Sequence, residues 1–199
     1  MVDVPEEVVE RARDGDLDAV RTILRMLEAP VFHTVFRLVG GRFASDVEDI
    51  AQEIFLKVFR SIGSFDPLRG VKFSTWVYTF VKNHCFDVLK KRRLHVVALD
   101  DATKQDGDEG RERQIESTAR PPSDEALSAE MVAHIADAVG ELSEDQRLVF
   151  VLREYQGLDY REIAQVAECS EGTVKSRLHR AKEALRKRLR RYVLQEGLP

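Results

Sequence analysis

Residues 175–191 carry nine cations, Lys175, Arg177, Arg180, Lys182, Arg186, Lys187, Arg188, Arg190 and Arg191, against one acid, Glu183. Cations at this density suit a polyanion, because each phosphate they neutralise releases a condensed counterion. Val174, Leu178, Ala181, Leu185 and Leu189 recur at three and four through the same stretch. One helix face therefore packs, while Lys175, Ser176, Arg177, His179 and Arg180 turn to solvent. The first turns of such a helix are where side chains reach base edges in the major groove, and arginine to guanine is the commonest pairing there.

The residues just upstream supply a second sign. Ala164 stands ten before Val174, with Ile163 and Val166 beside it. A small residue there lets two helices cross closely at a turn of three or four residues, the spacing of a helix-turn-helix. Glu168 occupies the turn position that glycine often fills, and a left-handed conformation costs it about 1 kcal/mol.

The chain as a whole is acidic, with a formal charge of −4 over 199 residues, so the basic stretch reflects segregation rather than excess. A second basic run, Lys90-Lys91-Arg92-Arg93, lies near mid-chain. Between the two, Asp100–Glu116 holds seven acids, three bases and two glycines, and Pro121-Pro122 follow. That segment cannot bury enough apolar area to offset its chain entropy, so residues 95–123 read as an acidic linker. It divides a body at 1–94 from one at 124–199, each of a size that can form a small core.

Apolar residues recur at three and four in both bodies, which predicts an all-α fold of two small helical domains. Asp16 is placed to cap a helix running toward Val39, which Gly40-Gly41 stops. Ser45 to Glu48 has the pattern of a capping box for a helix buried through Ile50, Ala51, Ile54, Phe55, Val58, Phe59 and Ile62. Its other face shows Asp46, Asp49, Gln52, Glu53 and Lys57. Gly63–Gly70 is a loop, after which Ser74 is placed to cap a helix ending in the basic run. In the second body Ser143 to Gln146 and Asp159 to Glu162 have capping-box spacing, Gly157 closes the helix between them, and Ser170 caps the last helix.

The N-terminus carries early acids and no long apolar run, which predicts a cytoplasmic chain with no membrane insertion. Cys85 and Cys169 lie far apart and the five histidines are scattered, so no metal or cofactor is expected. No His-Glu-x-x-His, glycine-rich phosphate loop or Ser/His/Asp grouping argues for an enzyme.

Three segments together, DVEDIAQEIFLKVF (46–59), FSTWVYTFVKNHCFDVLKKRR (73–93) and LSEDQRLVFVLREYQGLDYREIAQVAECSEGTVKSRLHRAKEALRKRL (142–189), closely resemble the extracytoplasmic-function (ECF) sigma factors of bacteria, within the sigma-70 family. The resemblance spans both bodies in order. It implies a non-catalytic subunit that gives RNA polymerase its promoter specificity, with a region-two domain, a linker and a region-four domain. Asp49, Gln52, Glu53 and Phe55 match the segment that docks on the β′ clamp helices of core RNA polymerase, although Phe55 also belongs to the apolar stripe. Ser64, Phe65, Asp66, Arg69, Lys72, Phe73, Thr75, Trp76, Asn83 and Asp87 match positions that melt and read the minus-ten element, where a flipped base needs a stacking pocket and edge contacts. Lys90, Lys91, Arg92 and Arg93 suit backbone phosphate, whereas His84 reads as a packing or surface residue. Lys175, Ser176, Arg177, His179 and Arg180 match the minus-thirty-five reader, with Thr173 and the helix N-terminus on phosphate.

The basic tail Arg186–Arg191 suits either DNA or the polymerase β flap. The acidic linker is implied to thread the polymerase cleft as a mimic of nucleic acid. Many relatives are held by an anti-sigma factor, a further partner the resemblance allows. A conventional regulator, with a sensor domain joined to a helix-turn-helix, explains residues 142–191 equally well but leaves the first body unexplained.

Overall fold

The computed structural model describes residues 3–40, 45–103 and 124–195. Among these, the regular structure is helical, with no strand: α1 (Glu6–Arg13), α2 (Leu17–Val39), α3 (Val47–Ser61), α4 (Phe73–Thr103), α5 (Asp124–Gly140), α6 (Glu144–Glu154), α7 (Tyr160–Ala167) and α8 (Glu171–Gln195). Two short 3₁₀ turns, Ile62–Ser64 and Pro67–Arg69, form the loop before α4.

Several starts follow the local chemistry. The Asp16 carboxylate accepts from the backbone N–H groups of Asp18 and Ala19, and Gly40 ends α2 at φ 84°. Asp159 and Glu162 complete a reciprocal capping box at α7. The Ser170 hydroxyl accepts from the Thr173 N–H at 3.1 Å to open α8.

Two expected caps do not form. At α3 the Ser45 hydroxyl turns to the Asp46 carboxylate at 2.9 Å, and Asp46 makes no cap bond because Arg92 of α4 takes its other oxygen. Ser74 lies inside α4, 1% exposed, with its hydroxyl lacking a hydrogen-bond partner. The first bond of that helix runs from the Trp76 N–H to the Lys72 carbonyl. Helix α6 stops at Glu154, ahead of Gly157, whose φ of 69° turns the chain toward α7. Helix α4 continues to Thr103, so residues 95–103 of the expected linker are helical, and residues 104–123 lie outside the described residues.

The first body buries Ile23, Leu27, Val31 and Val35 of α2 against Ile54 and Val58 of α3 and Val77 and Val81 of α4. The second buries Leu148 and Leu152 of α6, Ile163 of α7, and Val174 and Leu178 of α8. Each such side chain contributes about 1.5–3 kcal/mol through removal from water. These interiors join in one apolar cluster, because α7 lies on α4 while α5 and α6 lie on α2.

The seam between the bodies is polar as well as apolar. The buried Tyr78 hydroxyl donates to Gln156 Oε1 at 2.7 Å. Lys72 pairs with Glu162 and Lys82 with Glu168, each at 2.9 Å, and Arg93 with Glu144 at 3.1 Å. Arg147 donates to the Leu38 carbonyl at 2.6 Å and to the carbonyls of Gly140 and Leu142, fastening α6 to the ends of α2 and α5. A guanidinium there meets carbonyls that a helix C-terminus otherwise leaves without partners.

Candidate nucleic-acid interface

Helices α7 and α8 cross at a turn whose closure explains how Glu168 is tolerated. Glu168 is left-handed at φ 52° and ψ 46°; its N–H reaches the Gln165 carbonyl, and the Cys169 N–H reaches the Ala164 carbonyl. Both bonds belong to the Schellman closure, which needs a left-handed residue at this point. The expected strain is therefore present, and the Glu168 carboxylate is anchored by Lys82.

Val174, Leu178, Ala181 and Leu185 are buried, and Leu189 is partly buried against them. Opposite them, Lys175, Ser176, His179 and Arg180 are exposed. The ammonium of Lys175 lies 5.6 Å from the Tyr160 ring centroid, and the Ser176 hydroxyl bonds back to the Thr173 carbonyl. Thr173 shares a 2.9 Å hydrogen bond with the Ser170 hydroxyl at the helix start. Arg177 departs from the solvent-facing placement expected of it. Its guanidinium pairs with Asp145 of α6 at 2.5 Å, and its side chain is 24% exposed.

In the first body Asp49, Gln52 and Glu53 form an exposed row on α3, and Phe55 is buried beneath it. Beside the row runs a groove of about 360 Å3 between α2 and α3, lined by Leu24, Phe32, Gln52, Leu56 and Phe59 among others. Leu56, 55% exposed, lies outside the predicted apolar stripe and lines this groove with the exposed Phe32.

The minus-ten candidates divide. Phe65, Phe73 and Thr75 are buried, whereas Lys72, Asn83, Lys90, Lys91 and Arg93 are exposed. Trp76 is partly buried with its ring centroid 5.4 Å from Phe65, 5.5 Å from Phe73 and 4.7 Å from Phe80. These rings pack edge-on or tilted against one another rather than standing open to a base. Arg69 lies in the second 3₁₀ turn, and Arg92 is tied to Asp46. At the tip of this loop Leu68 is 95% exposed, an apolar side chain that the sequence reading passed over. No helix among the described residues is long and apolar enough to cross a membrane.

The family model "Sigma-70 region 2" matches residues 23–95, and "Sigma-70, region 4" matches 134–185. RNA polymerase sigma-H factor of Pseudomonas aeruginosa is 34% identical over 189 residues, covering 92% of this chain and 93% of that protein. ECF RNA polymerase sigma factor SigW of Bacillus subtilis is 34% identical over 92% of this chain and 95% of its own length. The ECF RNA polymerase sigma-E factor of Escherichia coli K12 is 34% identical over 89% of this chain and 90% of its own.

Two solved structures share the fold. CnrH, in complex with the cytosolic domain of CnrY, has a TM-score of 0.66 at 18% identity over 99% of this chain and 100% of that one. The sigma factor RpoE of Bartonella quintana, in complex with the anti-sigma factor NepR, has a TM-score of 0.65 at 24% identity over 85% and 96%. The chain belongs to the ECF sigma factors of the sigma-70 family.

Proposed function

We propose that this chain acts in the cytoplasm as a non-catalytic subunit that binds core RNA polymerase and directs promoter-specific initiation. Helix α8 reads the minus-thirty-five element as duplex through Lys175, Ser176, Arg177, His179 and Arg180, with Thr173 on phosphate. Helix α4 and its preceding loop capture the minus-ten element, with Phe65, Phe73 and Trp76 as its packed aromatic floor and Thr75 buried next to Trp76 in α4. Arg69, Lys72, Asn83 and Lys90 to Arg93 provide edge and phosphate contacts. Asp49, Gln52 and Glu53, with Phe55 beneath them, dock on the β′ clamp helices, an acidic face suited to a basic partner. The α2–α3 groove adds apolar area next to it.

The observation that carries this reading is the exposed cationic first turns of α8, set behind a helix-turn-helix closure. Because α7 lies on α4, the bodies must part before both promoter elements are engaged, and polymerase supplies the second surface that favours the parted form. The basic tail of α8 contacts either DNA or the β flap. An anti-sigma factor is a further partner, one that would stabilise the packed form.

Run-off transcription on a fragmented genomic library tests the function. Core polymerase with this chain should yield new start sites sharing two spaced elements, whereas core alone should not. Identical transcripts with and without the chain would refute the reading.

A further inference from the structure

His84 is 8% exposed and sits between α4, which carries it, and α3. Lys57 Nζ lies 2.7 Å from its Nδ1. An ammonium has donors only, so Nδ1 must accept and the ring proton must reside on Nε2. That nitrogen is 3.2 Å from Glu53 Oε2, yet off the line a hydrogen bond requires, and so has no hydrogen-bond partner. Glu53 and Lys57 are one turn apart on α3, and the ring stands between them as a buried wedge. The Glu53 carboxylate is itself 63% exposed, on the row assigned to polymerase docking.

We propose that His84 is a positioning residue for polymerase docking, whose buried ring, held by its bond to Lys57, wedges the Glu53 carboxylate outward toward the partner, and thereby makes docking sensitive to pH. This rests on the reading of Asp49, Gln52 and Glu53 as the docking face.

The charged groups facing the ring are Glu53 and Lys57 from α3 and Asp87 and Lys91 from α4. Burial, and then Lys57, lower the pKa of His84 below its ordinary 6.5, against the opposing pull of Glu53 and Asp87. The ring is therefore neutral near pH 7. On acidification the second proton must enter at Nδ1, which displaces Lys57, while the new imidazolium draws Glu53 inward and away from its partner. Docking should weaken as pH falls below 6.5, not as it rises.

The test measures affinity of the full chain for purified core polymerase across pH, with thermal unfolding run in parallel to confirm folding. The wild type should lose on the order of three- to tenfold affinity between neutral and mildly acid pH. His84→Gln should lie flat over that range. Lys57→Met, altered at an exposed position, keeps the ring but removes a cation that opposes its protonation, so the midpoint should move to higher pH.

Glu53→Gln should weaken docking at every pH, and wild-type affinity in that variant would overturn both the docking reading and this proposal. Weakened Glu53→Gln with a wild-type pH slope in His84→Gln, or an unmoved midpoint in Lys57→Met, would overturn the proposal alone. If His84→Gln fails to fold, the Lys57→Met midpoint decides the matter.

Discussion

Tyr78 and Gln156, far apart in the chain, meet in the interior, where the phenol donates a 2.7 Å hydrogen bond to the side-chain carbonyl. Removing one partner of a buried pair leaves the other without water or protein. Tyr78→Phe should therefore lower stability by about 1–3 kcal/mol, read as a shift of the urea midpoint. A change within error would mean that the seam is not closed in solution.

The Lys82–Glu168 pair and the left-handed backbone of Glu168 act in opposite directions. Glycine at 168 relieves about 1 kcal/mol of strain, but it leaves the Lys82 ammonium, only 14% exposed, without its carboxylate. Glu168→Gly should stabilise the Lys82→Met background by about 1 kcal/mol and the wild type by less. Equal gains in both backgrounds would show that the two residues are not coupled.

Arg177 is held by Asp145 in the free chain, so on the proposed reading it exchanges a carboxylate for a base or phosphate on binding. Arg177→Ala should cost about 1–3 kcal/mol at one base pair of the minus-thirty-five element and relax specificity there. Uniform weakening on every sequence in a competition assay would identify it as a phosphate contact instead.

Two buried acids on α4 set the alkaline limit of stability. Burial pushes the Cys85 thiol from an ordinary 9.0 up to about 12, and it raises the Tyr78 phenol as well. Both groups stay protonated in the folded chain while the unfolded chain releases its protons. Their contribution is thus complete below pH 9 and is lost as pH climbs toward 12. Unfolding midpoints should be flat between neutral pH and pH 9 and fall above it, less steeply in Cys85→Val. In the native state Cys85 should resist alkylation, and modification as fast as that of a free thiol would contradict its burial.

Much of the helical layout was legible because its signals are local. The three-and-four spacing of Ile50 to Ile62, the Asp159–Glu162 box and the turn at Glu168 each involve residues a few positions apart, and each forms as its pattern predicts. The Ser45 box failed because the Ser45 hydroxyl turns to the Asp46 carboxylate, whose other oxygen is held by Arg92, 46 positions away. The Asp145 grip on Arg177, the Lys57–His84 bond and the reach of Arg147 to Leu38 likewise depend on helix packing, which no window of sequence contains. Phe65 and Phe73 look like open stacking surfaces in the sequence, but without the fold nothing shows that the two rings pack on each other and on Trp76, which in turn packs on Phe80.

Lys72, Lys82 and Arg93 each hold a carboxylate from the second body. DNA arriving along α4 while the bodies are still packed would trade one anion for another instead of shedding a full complement of small ions. The salt dependence of that step would be shallower than a count of its cations suggests, and discrimination between DNA sequences would rest less on bulk attraction than on shape and base contacts.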